Sequence, residues 1–214
     1  MKKSLGEKHI IGIDEVGRGP LAGPVAVGAV LIFAEHRKTV AKIFPVVKDS
    51  KKLSAKSREK WFVKIREVEQ AGFLISSVQF VSPKYIDKQG IAPSIRKALA
   101  SALEKVSAMN DDKFGIQVLL DGGLYAPEEY KDQKTIIKGD EKELSIALAS
   151  IVAKVTRDAR MVKLGKKLPL YGFEKHKGYG TYAHYATIKK HGITEHHRKS
   201  FLRNLDQKWG VGVV

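Results

Sequence analysis

The sequence predicts an α/β domain built on a mixed β-sheet flanked by helices. Two observations carry that expectation. Short runs rich in β-branched apolar residues recur along the chain, separated by longer segments whose apolar residues fall at helical spacing. Two of the short runs come first, and strands then alternate with helices, the order of a layered α/β domain. At 214 residues the chain suits one domain. Residues 1–193 are expected to form its body. The basic segment 194–214, short of apolar residues, is expected to be an appended arm or a short helical C-terminal extension packed on it.

The predicted strands are His9–Asp14, Val25–Phe33, Phe73–Phe80, Ile116–Asp121 and Thr135–Lys138. The predicted helices are Ala55–Ala71, Pro93–Met109, Glu141–Leu164 and Tyr182–His191. The third helix is the clearest, because Leu144, Leu148, Ile151, Val152, Val155 and Val162 form one apolar stripe. Gln89-Gly90-Ile91-Ala92-Pro93 interrupts the start expected of the second, which puts that boundary in doubt. There is no repeat, low-complexity tract or long linker.

Composition narrows the function. Lys plus Arg is 39 against 23 Asp plus Glu, a formal charge of +16, which attracts polyanions and nucleic acid above all. No basic amphipathic helix with an aromatic face stands out, and Val25–Ala34, the longest apolar stretch, falls short of the roughly 20 residues that span a bilayer. A membrane partner is therefore not expected. The chain has no cysteine, which excludes thiolate metal sites, iron–sulfur clusters and cysteine nucleophiles. With no secretory signal at Met1–Ile10, a cytoplasmic monomer is the expectation.

Four acids sit where chemistry is done. Asp14 and Glu15 end one apolar run, Asp121 ends another before Gly122-Gly123, and Asp140 follows Lys138-Gly139 at the start of the long helix. A strand that ends in a carboxylate delivers it to the sheet's C-terminal edge, where α/β folds place ligands. Two such strands side by side would bring Asp14 and Asp121 together, and a hard oxygen-ligated cation, Mg2+ or Mn2+, relieves the repulsion. Strand alternation means that Asp14 and Glu15 cannot contribute identically, so coordination through a backbone carbonyl is open to one of them. Asp121 also suits a turn, and Asp140 with Glu143 reads locally as a helix capping box.

Directly after the acidic pair comes Gly17-Arg18-Gly19-Pro20-Leu21-Ala22-Gly23-Pro24, in which glycines allow close phosphate approach and Arg18 adds a charged donor. It is neither a P-loop nor a dinucleotide fingerprint. Joined to Gly12-Ile13-Asp14-Glu15-Val16, it resembles the N-terminal signature of ribonuclease HII, the type 2 ribonuclease H family. Further matches follow in order: Asp49-Ser50-Lys51-Lys52-Leu53-Ser54, Leu120-Asp121-Gly122, Lys138-Gly139-Asp140, Ala149 to Asp158, Lys175 to Thr181 and His197-Arg198-Lys199-Ser200-Phe201.

The resemblance implies a ribonuclease H-like fold with 1–193 as the catalytic domain. It implies an endonuclease that hydrolyses the RNA strand of RNA–DNA hybrids and cuts 5′ of single ribonucleotides in duplex DNA. Two-metal catalysis would use Mg2+ or Mn2+ on Asp14, Glu15, Asp121 and Asp140, leaving 3′-hydroxyl and 5′-phosphate ends. It further implies that Gly17, Arg18 and Gly19 read the RNA–DNA junction and that Tyr179 packs on the ribonucleotide sugar. Lys51, Lys52, Ser150 and Lys154 are candidates for phosphate contact; Asp158 is read as a helix-surface residue. Arg18 favours this branch over ribonuclease HIII, which usually carries Gly-Thr-Gly there. His176, His184, His191, His196 and His197 have no zinc-like arrangement with acids and are expected mostly at the surface or facing RNA. Two rivals are another nuclease of the same fold and a non-catalytic RNA-binding protein; the second leaves the Asp14–Glu15 pair unexplained. No recognisable sliding-clamp motif stands in the sequence.

Overall fold

The computed structural model describes residues 8–45, 53–108 and 115–202. Five strands form one sheet in the order β3-β2-β1-β4-β5: β1 His9–Val16, β2 Val25–Ile32, β3 Leu74–Val81, β4 Ile116–Asp121 and β5 Gln133–Ile136. The pairs β1–β2 and β2–β3 are antiparallel, whereas β1–β4 and β4–β5 are parallel, so the sheet is mixed as predicted. The helices are α1 Arg37–Ile43, α2 Ala55–Gln70, α3 Pro83–Gln89, α4 Ile91–Ser107, α5 Leu144–Lys167, α6 Phe173–His176 and α7 Tyr182–His191.

Strand alternation builds two cores. On one face Ile11, Ile13, Val27, Leu31, Val118 and Leu120 pack on Ile95, Leu99 and Leu103 of α4. On the other, Val30 and Ile32 meet Ile65 and Val68 of α2 and Leu148, Ile151 and Val152 of α5. Helix α5 lies very close to the sheet because Gly12 faces the Ser145 backbone and Gly28 faces the Ala149 carbonyl; a side chain at either would collide with main chain. That close approach sets the α5 residues beside the C-terminal end of β1, where the acids are.

Several boundaries differ from expectation. Helix α4 starts at Ile91, not Pro93: Gly90, at φ +86°, separates it from α3, and Pro93 falls in the first turn, where an N–H has no intrahelical acceptor. Strand β5 starts earlier and ends earlier than Thr135–Lys138, because its partners are Val118 to Asp121. Ile137 is left 75% exposed beyond it. The short helices α1, α3 and α6 were not predicted. Of these α3 carried a visible signal: the Ser82 hydroxyl caps it by accepting from the Tyr85 N–H, with Pro83 in first position.

The capping box at Asp140 is not there. Asp140 lies in a 3-10 turn, Gly139–Glu141, and α5 begins at Leu144 with Glu143 in capping position and no side-chain cap bond. The Gly139 carbonyl accepts from the N–H groups of Lys142 and Glu143, which closes the turn before the helix opens. Asp140 is directed inward and only 1% exposed.

Of the C-terminal segment, residues 194–202 are described. It is tied to the body by a backbone bridge between Ala22 and His197 and by Asp87 of α3, whose carboxylate accepts from the Lys199 and Ser200 N–H groups. Its short helical element is a 3-10 turn, Lys199–Phe201. Among the described residues, no helix is long and apolar enough to cross a membrane.

Candidate active site

The parallel register of β1 and β4 decides where the acids meet. Ile13 pairs with Leu120, so the next residues, Asp14 and Asp121, stand side by side at the strand ends and on the same face of the sheet. Asp14 is 8% exposed. Burial pushes its carboxyl up to about 8, and the charges of Asp121, Glu15 and Asp140 push in the same direction, while a hydrogen bond from Ser150 opposes them. Three acids thus act on a fourth that is already desolvated. Glu15 is also raised, first by burial, with Arg18 opposing at 3.6 Å. Asp121 Oδ1 accepts the Gly139 N–H at 2.6 Å, which ties the end of β4 to the turn that carries Asp140.

Such a set suits a hard divalent cation. The side-chain donors are carboxylate oxygens, and Arg18 on Glu15 offsets only part of their negative charge. Among the described residues no group of three or more acid or histidine side chains is arranged so that it could hold a metal ion by itself. Mg2+ seldom needs one, since waters and substrate phosphates complete its shell around one or two carboxylates.

The glycine-rich loop lies beside this cluster and is held from behind by two buried arginines. Arg198 donates through Nε to the Gly23 carbonyl at 3.0 Å, and through its two terminal nitrogens to Arg18 at 2.9 Å and Gly17 at 2.7 Å. Arg157 donates to the carbonyls of Pro24, Ala22 and Lys177 at 2.9, 3.4 and 3.2 Å. Both guanidinium groups are 0% exposed, and burial lowers both pKa values, that of Arg198 to about 9, still charged at neutral pH. Their planar forks take up loop carbonyls while Arg18 itself stays exposed. Tyr179 stands across the loop, 41% exposed, with the Lys154 ammonium 5.9 Å from its ring centre. The loops touch directly, since the Gly178 carbonyl accepts from the Leu21 and Ala22 N–H groups.

The other expected residues fall as follows. Ser150 belongs to the acid cluster through its bond to Asp14. Lys154 pairs with Asp158 at 3.0 Å along α5. Lys51 and Lys52 lie outside the described residues.

The family model of ribonuclease HII matches residues 11–204, nearly the whole chain. The chain belongs to the ribonuclease HII family. A ribonuclease HII of Bacillus cereus (strain Q1) is 43% identical over 208 residues, covering 96% of this chain and 74% of the relative. That of Bacillus thuringiensis (strain Al Hakam) is 42% identical over the same span and shares. Among solved structures, ribonuclease H2 of Pyrococcus horikoshii OT3 superposes with a TM-score of 0.73 at 25% identity, covering 95% of this chain and 100% of that one. Ribonuclease HII of Archaeoglobus fulgidus, solved in complex with PCNA, superposes at 0.68 and 27% identity over 89% of this chain and 93% of that one. The chain is thus a ribonuclease H, a nuclease acting on the RNA of RNA–DNA hybrids.

Within this ribonuclease HII, sequence reasoning missed the residues that brace the site. His184 and His197 belong to a group of histidines expected mostly at the surface or facing RNA, yet they are 0% and 1% exposed and packed against Phe173. A signal existed for His184, which precedes the buried Ile188 by four residues on α7. Arg157 likewise sits in a row of buried α5 residues spaced four apart, Ala149, Ala153, Arg157, Met161 and Gly165.

Proposed function

We propose that Asp14, Glu15, Asp121 and Asp140 hold Mg2+ or Mn2+, and that the enzyme cuts both RNA–DNA hybrids and the 5′ side of single ribonucleotides in duplex DNA. The observation that supports this best is the side-by-side placement of Asp14 and Asp121, with the Asp14 carboxyl pushed up to about 8 in a cluster of acids. Bound there, the cations supply Lewis-acid activation of a water and neutralise charge on the leaving 3′ oxygen. Ser150 orients Asp14, and the Gly139 N–H orients Asp121, so each carboxylate is fixed before substrate arrives. Arg18, anchored through its carbonyl to Arg198, has an exposed side chain that pairs with Glu15 at 3.6 Å and exchanges that partner for a phosphate at the junction. Gly17 and Gly19 let the backbone come close to the nucleic acid. Tyr179 packs on the sugar and distinguishes the 2′-hydroxyl. Lys154 on α5, and Lys51 and Lys52, supply phosphate contacts. Because water rather than the neighbouring 2′-hydroxyl attacks, products carry 3′-hydroxyl and 5′-phosphate ends. The enzyme acts as a cytoplasmic monomer.

Cleavage of a hybrid duplex is expected to require added Mg2+ or Mn2+, to stop with chelator, and to leave a 5′-phosphate that a phosphatase can remove. Full activity in excess chelator, or 2′,3′-cyclic phosphate ends, would overturn the reading.

With a formal charge of +16, affinity for hybrid duplex is expected to fall steeply with salt, because each neutralised phosphate releases counterion. A log–log slope of −4 or steeper, on the order of five phosphate contacts, is the expected result in a fluorescence titration. Arg18→Ala should make that slope shallower by about one and weaken cutting without altering the unfolding transition. Affinity that barely changes between low and physiological salt would contradict the role given to the basic surface.

A further inference from the structure

Behind Tyr179 runs a chain of hydrogen bonds whose direction is decided at both ends by the main chain. The Thr194 N–H donates to His197 Nδ1 at 2.9 Å, so that nitrogen carries no proton. His184 Nδ1 lies 2.9 Å from the Tyr179 carbonyl, which can only accept, so that nitrogen does carry one. Between them the two Nε2 atoms are 3.1 Å apart. In neutral rings the only consistent assignment has His197 Nε2–H donating to a bare His184 Nε2. The relay therefore reads Thr194 to His197 to His184 to Tyr179, with a main-chain proton in the first step and one ring proton in each of the next two.

Its surroundings keep it in that state. Phe173 lies edge-on to His184 at 5.5 Å, His176 stacks on His184 at 4.3 Å and Tyr171 closes over His197 at 5.2 Å. Burial holds both His184 and His197 down at about 4, so neither gains a second proton near neutral pH. The Tyr179 main chain is held from both sides: its carbonyl also accepts from the Thr181 N–H at 2.9 Å, and its N–H donates to the His176 carbonyl at 2.9 Å. His197, for its part, bridges to Ala22 in the glycine-rich loop.

We infer that His184, backed by His197, is a positioning residue that fixes Tyr179 relative to the Gly17–Gly19 loop and thereby sets how well the enzyme recognises a lone ribonucleotide. This rests on the assignment of Tyr179 as the sugar sensor. The sequence supplies Tyr179 on a loop flanked by Gly178 and Gly180, which on its own has wide freedom. The two histidines add to the His176 and Thr181 bonds in restricting that freedom, from a buried position behind the loop. A sensor held to a fraction of an ångström discriminates better than a mobile one, because mispositioning by about 1 Å costs on the order of a hundredfold in rate.

The test is a double-mutant cycle on kcat/KM, measured on a duplex with one embedded ribonucleotide and on a long hybrid. His184→Phe is expected to lower the single-ribonucleotide value about tenfold more than the hybrid value. His184→Asn, which can keep a donor near the Tyr179 carbonyl, is expected to recover most of the difference. On a Tyr179→Ala background His184→Phe should add little, because it acts through the ring already removed. An equal extra loss on that background would make His184 a purely structural residue and overturn the inference, as would unchanged discrimination in His184→Phe. If His184→Phe does not fold, His197→Asn, which keeps an acceptor for Thr194 but cannot reach His184, is put through the same cycle with the same outcomes. If instead Tyr179→Ala itself leaves discrimination intact, the sensor assignment fails, a result separable from failure of the relay.

Discussion

Asp14→Asn is expected to abolish hydrolysis while making the metal-free protein more stable at neutral and alkaline pH. The first effect follows from removing one of the acids proposed to hold the cations, and a loss of roughly 10²–10³-fold or more is the order expected for a group facing transition-state charge. The second follows from linkage. The Asp14 carboxyl titrates near 3.8 in an unfolded chain and near 8 in the folded one. Between those values the folded state binds the extra proton, so its stability falls as pH rises through that window. Asn at position 14 has no charge to lose and keeps an oxygen for the Glu15 N–H, which reaches Asp14 Oδ1 at 2.8 Å. Urea unfolding in chelator at pH 5 and pH 8.5 should show the native protein losing stability with rising pH and Asp14→Asn losing much less, a gap of at least about 1 kcal/mol at the higher pH. Normal turnover by the variant at saturating Mg2+ would remove Asp14 from the site.

Arg198→Ala is expected to be among the most destabilising single changes in the protein. It would strand the carbonyls of Gly17 and Gly23 in the interior and that of Arg18 at its edge. Each buried group left without a partner costs roughly 1–3 kcal/mol, so a total of about 3–5 kcal/mol is expected in urea unfolding. Arg198→Lys should recover less than half of it, since one ammonium cannot reproduce a planar fork on three carbonyls. A cost below about 1 kcal/mol for Arg198→Ala would mean that the loop is held by its own turns. The two buried arginines also explain how a loop so rich in glycine and proline keeps one shape: the carbonyls of Gly17, Arg18, Ala22, Gly23 and Pro24 are committed to them, while the Arg18 side chain stays exposed.

Much of this was legible along the chain because strand periodicity and strand-end carboxylates are local signals. The five strands and the α5 stripe follow from apolar spacing, and the meeting of Asp14 with Asp121 from two apolar runs that each end in an acid. Asp140 was harder. Three residues before Glu143 it looks like a helix cap, and only the turn closed by the Gly139 carbonyl, a tertiary outcome of β5 pairing with β4, turns it inward. Arg198 had no periodic signal at all, since it lies in a segment short of apolar residues and is buried by contacts with a loop some 180 positions away. His197 was concealed because its burial comes from packing against Tyr171, Phe173 and His184, whereas His184 carried the helical signal of Ile188 four residues on. The acids at the strand ends announce themselves, whereas Asp140 in its turn and Arg198 behind the loop do not.

The most direct measurement is a gel assay of three duplexes in Mg2+: all DNA, DNA with one embedded ribonucleotide, and a long RNA–DNA hybrid. A single ribonucleotide hardly alters the helix, so its 2′-hydroxyl must be sensed directly, whereas a hybrid offers its shape over many nucleotides. The expected result is no cutting of the all-DNA duplex, cutting of the long hybrid, and one cut on the 5′ side of the lone ribonucleotide that Tyr179→Ala slows about tenfold or more, in line with loss of one polar contact. Cutting of the long hybrid alone would contradict the roles given to Tyr179 and Arg18.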